Sequence, residues 1–456
     1  MSSARLLPIE LPDFGAPASI PTIPKAIYLS RVRTLIDRAA SRGIDIVIVY
    51  ADREHSANVS YLTGFDPRFE EALLLLTAGG DPLILVGNEC VGTAKAAPLS
   101  MDVELFQDFS LPGQPRDRSR SMKEILAGAG VRPGTKVGLV GWKTFADPTH
   151  SDVPSYLVDE LRNLAGVEKV ENVTDILIDS ADGLRVINEV EQLAYFEYAA
   201  SHTSSGVRNL LFELRPGLTE QEAVSLLRWN GAPLSCHLML TAGDRARLGL
   251  LSPGDRVITE GDPFTVAYGI WGGLNCRAGF VTGSADGLDP EIDDYVEKLV
   301  APYFETVVEW YQALHIGQRG HVLQEIVDRH LGDPFFGIFL NPGHQIHYDE
   351  WVNSPVGPGS DVELQSGMAM QVDIIPATGT PYFTTNIEDG IALADDSLRA
   401  EIADRFPEMW QRIERRRRFM RDELGIELHP DVLPFSNIPA YLPPFLLSPD
   451  RVMSMA

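Results

Sequence analysis

Cysteine is scarce in this chain of 456 residues, which contains only Cys90, Cys236 and Cys276. No two of them form a Cys-x-x-Cys pair, so neither a disulfide framework nor a cysteine-based zinc site is expected. Long apolar runs are also missing. No stretch reaches the ~18 apolar residues of a membrane span, and prolines interrupt the N-terminus where an export signal needs an apolar core. These absences predict a soluble protein of the cytoplasm.

Basic residues are also few, with 38 Lys and Arg against 64 Asp and Glu, for a net charge of -26. This balance argues against binding to nucleic acid or to anionic membranes, and favours a small-molecule substrate, neutral or cationic. The one basic run, Arg-Arg-Arg-Arg at 415–418, is expected to be a solvated helix face or a contact with an acidic subunit surface.

The chain is long enough for two or three domains. Residues 1–25 are proline-rich and aperiodic, and we expect an arm that docks on the body or on a partner subunit. Residues 26–180 alternate a helix near 27–42 with short apolar runs, which predicts an α/β layer domain. The runs lie at 44–50, 72–76, 82–86 and 136–140.

Residues 181–456 show a different pattern, with long helices and apolar strands. Helices are predicted over 188–214, 289–314 and 321–331, and Thr219 with Glu222 forms a capping box at the start of another. Strands are predicted at 262–268, 276–282, 368–376 and 390–394. Helices packed on a curved, mostly antiparallel sheet give an α+β class. The apolar tail at 439–447 should pack on its own body or a partner.

Three short segments in this second half carry candidate functional side chains. They are Gly-His-Gln-Ile-His-Tyr-Asp-Glu (343–350), Ser-Gly-Met-Ala-Met-Gln-Val-Asp (366–373) and Asn-Ile-Glu-Asp-Gly (386–390). Asp373 lies within an otherwise apolar predicted strand, where burying a carboxylate without a partner is costly. A structural ion pair is one interpretation of Asp373, and a functional site shared with His344 and Glu388 is the other.

These segments, together with others in a fixed order, resemble the pita-bread superfamily, which includes creatinase, prolidase, aminopeptidase P and methionine aminopeptidase. The other segments are Asn-Val-Ser-Tyr-Leu-Thr-Gly-Phe (58–65), Arg-Val-Ile-Asn-Glu-Val-Glu (185–191), Arg-Pro-Gly-Leu-Thr-Glu (215–220) and Pro-Gly-His (342–344). The resemblance implies a creatinase-like N-terminal α/β domain at 26–180, a pita-bread catalytic domain with a C-terminal helix and tail at 181–456, and a homodimer.

The metallopeptidases of that superfamily hold two metal ions with two aspartates, one histidine and two glutamates. Carried over by the resemblance, the histidine falls on His344 and the glutamates fall on Asp373 and Glu388. The first aspartate falls on Ala267. The second falls on Ala278 or, with a short gap, on Asn275.

This departure implies an atypical member of the superfamily. Alanine offers no ligand atom and asparagine only a neutral oxygen, so a dinuclear metallopeptidase is not expected. Leu250 and Leu251 also stand where the resemblance calls for the histidine that assists the peptidase reaction.

Creatinase supplies the precedent for a metal-free relative. By this resemblance the chain is expected to be a metal-independent hydrolase of a carbon-nitrogen bond, amide or amidine, in a small metabolite, with no cofactor. Histidine can relay a proton and carboxylates can clamp a cation. The expected catalytic residues are His344, His237, Asp373 and Glu388. His237 is predicted at the start of an apolar strand that begins within 235–240, and it is equally well interpreted as a core histidine.

Substrate contacts are expected from the residues around this set. Arg277 could instead pair with Asp373 or Glu388, and Cys276 is either a small buried side chain or a nucleophile with a histidine in reach. The candidate substrate-binding residues are His347, Tyr348, Trp351, Arg277 and Asn275.

Two other functions are left open. One is a mononuclear Xaa-Pro peptidase-like hydrolase, or a lyase, in which His344, Asp373 and Glu388 bind one divalent metal such as Mn, Fe or Zn. The other is a catalytically inactive pseudopeptidase that binds a peptide or metabolite in the same pocket.

Overall fold

The computed structural model describes residues 4–456, which form two compact units. One unit covers Ile23–Arg185, and the other joins the N-terminal residues up to Thr22 with Val186–Ala456. The first strand, β1 (Arg5–Pro8), therefore belongs to the second unit. Across the described residues, no helix is both long and apolar enough to cross a membrane.

The unit at 23–185 contains a six-stranded mixed sheet with helices around it. All of β2 is buried, which is why its sequence, Ile-Val-Ile-Val-Tyr-Ala, is apolar throughout rather than alternating. The strand order is β5-β4-β3-β2-β6-β7. The elements are α1 (Lys25–Ser41), β2 (Ile46–Ala51), α2 (Ala57–Thr63), β3 (Ala72–Thr77), β4 (Leu83–Val86), α3 (Val91–Lys95), β5 (Asp102–Leu105), α4 (Met122–Gly128), β6 (Val137–Val140), α5 (Ser155–Ala165), β7 (Val170–Asn172) and α6 (Asp175–Ile178).

The larger unit is built on an antiparallel sheet of order β11-β12-β13-β10-β9-β8, with β14 paired to β13. Long helices accompany this sheet, so the α+β class is confirmed. The elements are α7 (Val190–Glu213), α8 (Glu220–Val224), β8 (Met239–Ala242), β9 (Pro263–Ile270), β10 (Gly273–Phe280), α9 (Ala301–Ala313), α10 (Gly320–Leu331), β11 (His344–Gln345), β12 (Ala369–Asp373), β13 (Asn386–Leu393), α11 (Asp396–Arg405), α12 (Pro407–Asp422), β14 (Val432–Pro434) and β15 (Arg451–Ser454).

One predicted helix is interrupted. The run at 289–314 begins with a 3-10 turn (Pro290–Ile292) and a π-helical segment (Val296–Val300) before α9 starts. Pro302 explains the interruption, because it has no N–H to donate and its ring crowds the carbonyl four residues earlier. By contrast, the predicted capping box of Thr219 and Glu222 is present.

The N-terminal arm and the C-terminal tail pack on the same body. β1 pairs with β15 in antiparallel register. Ile9, Leu11 and Phe14 of the arm lie in the same hydrophobic core as Tyr441 and Phe445 of the tail. The tail and the segment 5–14 of the arm pack on their own chain, and residues 1–3 of the expected arm lie outside the described residues.

The arginine run was expected to be a solvated helix face or a contact with an acidic subunit surface. Arg415 and Arg418 are exposed, but the expectation is wrong for Arg416. Arg416 is fully buried, where Nη1 lies 2.8 Å from Glu197 Oε1 and Nη2 2.6 Å from Asn437 Oδ1. Arg415 donates to backbone carbonyls of the arm, and Arg417 to carbonyls that precede and enter β14. A guanidinium has five N–H donors, so one arginine can donate hydrogen bonds to several carbonyl oxygens at once.

Candidate active site

Strand register aligns four side chains in one row on a single face of the larger sheet. Asp373 is directly opposite Glu388, Glu388 is opposite Cys276, and Cys276 is opposite Ala267. Residues paired across neighbouring strands point to the same face, with Cβ atoms about 4.5–5.5 Å apart. The side chains of Asp373, Glu388, Cys276 and Ala267 therefore form a continuous row, called the site row below.

His344 enters this face from β11, which adjoins β12. The turn before it needs Gly343, which has φ 127° and where a Cβ would lie 2.8 Å from Trp310 Cζ2. The His344 Nδ1 lies 3.2 Å from the Gln345 carbonyl oxygen, and the Trp351 ring stacks on the imidazole at 4.2 Å between centroids. With Nδ1–H directed at that carbonyl, Nε2 of the neutral ring carries a lone pair.

This Nε2 atom faces three carboxylates. It lies 3.2 Å from Glu350 Oε1, 3.5 Å from Glu388 Oε1 and 3.8 Å from Asp373 Oδ2. Glu350 was assigned no role from the sequence, because its place beside His344 depends on the path of the loop after β11. The structure thus brings together His344, Asp373 and Glu388, as predicted, and adds Glu350.

Several atoms at this centre are buried without a hydrogen-bond partner. They are His344 Nε2, Asp373 Oδ1 and Glu388 Oε1. Buried polar groups are normally paired, so unpartnered atoms that converge call for a ligand. Ligand atoms of His344, Asp373 and Glu388 all lie within 4.8 Å of one another. One imidazole nitrogen and two carboxylates are a donor set that fits a divalent metal ion.

Burial raises the pKa of each carboxylate at the centre. Burial, followed by the charge of Glu388, raises the pKa of Asp373 well above its usual value. Burial is also the main cause that raises the pKa of Glu388 to about 7 and the pKa of Glu350 to about 7. In the absence of a cation, the site therefore disfavours the fully ionised state of these three groups.

Cys276 is a member of this centre that sequence reasoning left open. Its Sγ donates a hydrogen bond to Glu388 Oε2 at 2.8 Å. Burial, together with the charge of Glu388, raises the pKa of the Cys276 thiol well above its usual value. A reactive cysteine needs a lowered pKa, so Cys276 is a neutral donor rather than a nucleophile.

Arg277 and Asn275 were expected to bind substrate, and the structure corrects this. Side chains alternate along a strand, so these two point away from the site row. Arg277 Nη2 lies 2.8 Å from Asp389 Oδ2, and Asn275 Nδ2 lies 2.7 Å from Asp389 Oδ1. Both residues, with Ser436, form a buried network around Asp389 under the C-terminal tail.

His237 was expected at the start of a strand as an acid-base group. The strand begins later, at Met239, and His237 is exposed in the loop before it. Its Nε2 lies 2.7 Å from the carbonyl oxygen of Leu250. The observed hydrogen bond of His237 is therefore to a loop backbone and not to a site carboxylate.

His347 and Tyr348 form part of an aromatic cluster beside the centre. The His347 ring meets Phe196 edge-on at 5.0 Å, and the Tyr348 ring stacks on Trp271 at 5.1 Å. Both residues are buried. Substrate contact by His347, Tyr348 and Trp351 stays a prediction.

Comparison with known proteins agrees with this architecture. The model of the creatinase/prolidase N-terminal domain matches residues 31–182. The prolidase from Pyrococcus horikoshii OT3 superposes with a TM-score of 0.61 at 20% identity, over 80% of this chain and 95% of that one. The chain therefore has the pita-bread fold of that prolidase, and residues 31–182 are similar to the creatinase/prolidase N-terminal domain.

Further relatives agree with this pita-bread assignment. An Xaa-Pro dipeptidase from Bacillus anthracis has a TM-score of 0.61 at 16% identity, over 82% of this chain and 96% of that one. An uncharacterised peptidase of Bacillus subtilis, YqhT, is 23% identical over 231 residues. That match covers 48% of this chain and 63% of YqhT, which is less than two thirds of the relative.

The candidate site lacks acidic side chains at the positions where the sequence resemblance places two aspartates. Ala267 is the member of the site row next to Cys276, and Ala278 pairs with Thr265. Both alanines are buried. The acidic part of the site row is thus limited to Glu388 and Asp373.

Proposed function

We propose that this chain is a hydrolase of carbon-nitrogen bonds that uses one divalent cation held by His344, Asp373 and Glu388. The observation that carries the proposal is the convergence of unpartnered, buried Nε2 and carboxylate oxygens from these residues. The relatives named prolidase, Xaa-Pro dipeptidase and peptidase support the reaction class.

Each residue has a distinct task in this reaction. A divalent cation at such a site supplies a Lewis acid for the scissile carbonyl. His344 offers the Nε2 lone pair, and Trp351 with the Gln345 carbonyl keeps its ring oriented. Glu350 is placed beside His344 to accept a proton from the attacking water and return it to the leaving nitrogen, as a general base and acid.

The proposed stoichiometry of one cation follows from the ligands that are missing. Ala267 and Ala278 have no donor atom, and Asn275 is committed to Asp389. A second cation beside Glu388 would have few anionic ligands, whereas hard divalent cations prefer several oxygens.

A second candidate is the metal-independent, creatinase-like hydrolase of an amide or amidine bond in a small metabolite. The thiol of Cys276, on the site row beside Ala267, supports it because a thiol hydrogen bond to Glu388 needs no metal. In that reaction His344 moves the proton, while Asp373 and Glu388 bind the substrate or orient water. A cationic substrate group would then interact with the carboxylates in place of the metal.

Turnover by metal-depleted protein separates the two candidates. Xaa-Pro dipeptides, amides and guanidines are screened as substrates with and without Mn²⁺. His344→Ala is the variant expected to be inactive. The exposed Asp361→Asn is the matched control and should keep wild-type activity. We expect hydrolysis that appears with Mn²⁺ and is abolished by chelator. Turnover that ignores chelator contradicts the metal proposal and favours the second candidate. If no substrate is hydrolysed under any of these conditions, the result favours the catalytically inactive pseudopeptidase that binds a peptide or metabolite.

We also infer a homodimer, as the resemblance implies, and a location in the cytoplasm, which the scarcity of cysteine favours. Light scattering during gel filtration gives the mass in solution. A mass of twice 50.2 kDa supports the dimer, and a mass of 50.2 kDa contradicts it.

A further inference from the structure

The two carboxylate oxygens of Glu388 have different surroundings. Oε2 accepts the Cys276 thiol proton at 2.8 Å, whereas Oε1 has no hydrogen-bond partner and lies 3.5 Å from His344 Nε2. In the described part of the chain, this thiol is the one hydrogen-bond donor to the Glu388 side chain. Cys276 therefore determines which oxygen faces the centre.

Strand register makes this arrangement rigid. Cys276 on β10 is opposite Glu388 on β13 and also opposite Ala267 on β9. All three side chains are buried, so the thiol has little freedom to move away from Glu388. On the other side of Cys276, the methyl group of Ala267 offers neither a donor nor a ligand atom.

A free carboxylate can present both oxygens and so bridge two cations. Because the thiol proton already engages Oε2, Oε1 is the Glu388 oxygen that is left without a partner. We propose that Cys276 is a positioning residue that turns Glu388 into a one-oxygen ligand and confines the site to a single cation. This inference rests on the proposed function, because it requires a cation between His344, Asp373 and Glu388.

The test is a calorimetric titration with Mn²⁺ of metal-depleted wild type, Cys276→Ala and Cys276→Ser. Serine keeps a hydrogen-bond donor at the same place, whereas alanine removes it. Cys236→Ala is the matched control, because Cys236 is a partly buried thiol close enough to Glu350 and Glu388 to interact with their charges. Circular dichroism verifies that each variant is folded.

We expect wild type to bind one Mn²⁺. Cys276→Ala should bind it at least about tenfold more weakly, since loss of an outer-shell partner of a ligand typically costs 10–100-fold in affinity. Cys276→Ser and Cys236→Ala should bind as wild type does. Electron paramagnetic resonance of the wild-type complex should show an uncoupled single Mn²⁺.

Each contrary result has its own meaning. Wild-type affinity in Cys276→Ala, or equal weakness in Cys276→Ser and Cys276→Ala, overturns the positioning role while the proposed function stands. Two Mn²⁺ ions in wild type overturn the confinement to one cation. If wild type binds no Mn²⁺, the proposed function fails and this inference fails with it.

Discussion

At the scale of single residues, the centre is a place where carboxylates have too few partners. Asp373, Glu388 and Glu350 surround one imidazole nitrogen, and the burial of the first two leaves little water to solvate their charge. A buried charge is tolerated when it is paired or binds a metal. A cation bound here would therefore compensate the buried negative charge and would also serve the proposed reaction.

Replacing Asp373 by asparagine tests its role as a ligand. Asp373→Asn removes one anionic oxygen from the centre, and we expect Mn²⁺ affinity to fall by about a hundredfold or more, beyond the effect of most outer-shell partners. The measurement is calorimetric titration. Asp361→Asn, at a side chain that is 79% exposed, is the control and should leave affinity unchanged. Equal affinity in both variants would remove Asp373 from the ligand set.

The pH dependence of stability tests the environment of Glu350. Burial raises the pKa of Glu350 from 4.5 to about 7 in the metal-free fold. A group with a raised folded-state pKa contributes stability below its unfolded pKa, and this contribution is lost as pH rises through the folded pKa.

Glu350→Gln avoids that loss, because glutamine does not ionise. We expect the melting temperature of Glu350→Gln, relative to that of metal-free wild type, to increase as pH rises from about 5 to about 8. Glu363→Gln, at a side chain that is 60% exposed, is the control and should show no such trend. A gap between Glu350→Gln and wild type that is constant or shrinks with rising pH contradicts the raised pKa.

At the residue scale, the sequence predicted the site residues that belong to recognisable short motifs. His344, Asp373 and Glu388 were all predicted, because each follows or ends a recognisable short segment. Glu350 and Cys276 were not assigned, since their roles depend on a loop path and on strand register. Arg277 was misplaced because sequence does not show which face of β10 a side chain takes.

At the scale of elements, α7 is tied to α12 by a buried charge cluster. Glu197 on α7 contacts both Arg412 and Arg416 on α12, at 2.6 Å and 2.8 Å. Burial alone would raise the pKa of Glu197, but the charges of Arg416 and Arg412 outweigh burial and lower it. The cluster explains why Arg416 of the arginine run is buried.

Glu197→Gln should destabilise the fold by about 3–5 kcal/mol at neutral pH, because it leaves buried guanidinium groups without their counter-charge. A group with a lowered pKa loses its stabilising contribution as pH falls through that pKa, so the difference from wild type should shrink in acid. Urea unfolding measures the difference. The exposed Glu408→Gln on α12 is the control, and an equal effect of both variants would contradict the account.

Sequence periodicity predicted most elements, including α7, α10 and the capping box of α8. It missed the break before α9, because an amphipathic pattern continues through a π-helical segment while Pro302 changes the backbone. It also placed β8 too early, since the apolar residues around His237 belong to a loop. An apolar run in the sequence predicts that a segment is buried, but it does not distinguish a buried strand from a packed loop.

At the scale of the whole molecule, the larger unit is closed by its own ends. The arm places Phe14 against Phe419, with ring centroids 5.8 Å apart, and Arg415 lies over the Phe14 ring. β1 extends this closure by pairing with β15. The arm is therefore part of the hydrophobic core of the larger unit.

Phe14→Ala should destabilise the protein by about 3–5 kcal/mol, as truncation of a buried aromatic side chain usually does. Chemical denaturation of the full chain gives the value. Ile20→Ala, in the same arm but at a side chain that is 54% exposed, is the matched control and should be nearly neutral. A near-neutral effect of Phe14→Ala would show that the arm contributes little to the folded core.

The most direct test of the central claim is the anomalous difference density of crystals soaked with Mn²⁺ at neutral pH. The account predicts one peak, bounded by His344 Nε2, Asp373 and Glu388, with Cys276 still directed at the far oxygen of Glu388. The absence of a peak between these side chains, with protein that is folded and fully soaked, would contradict it.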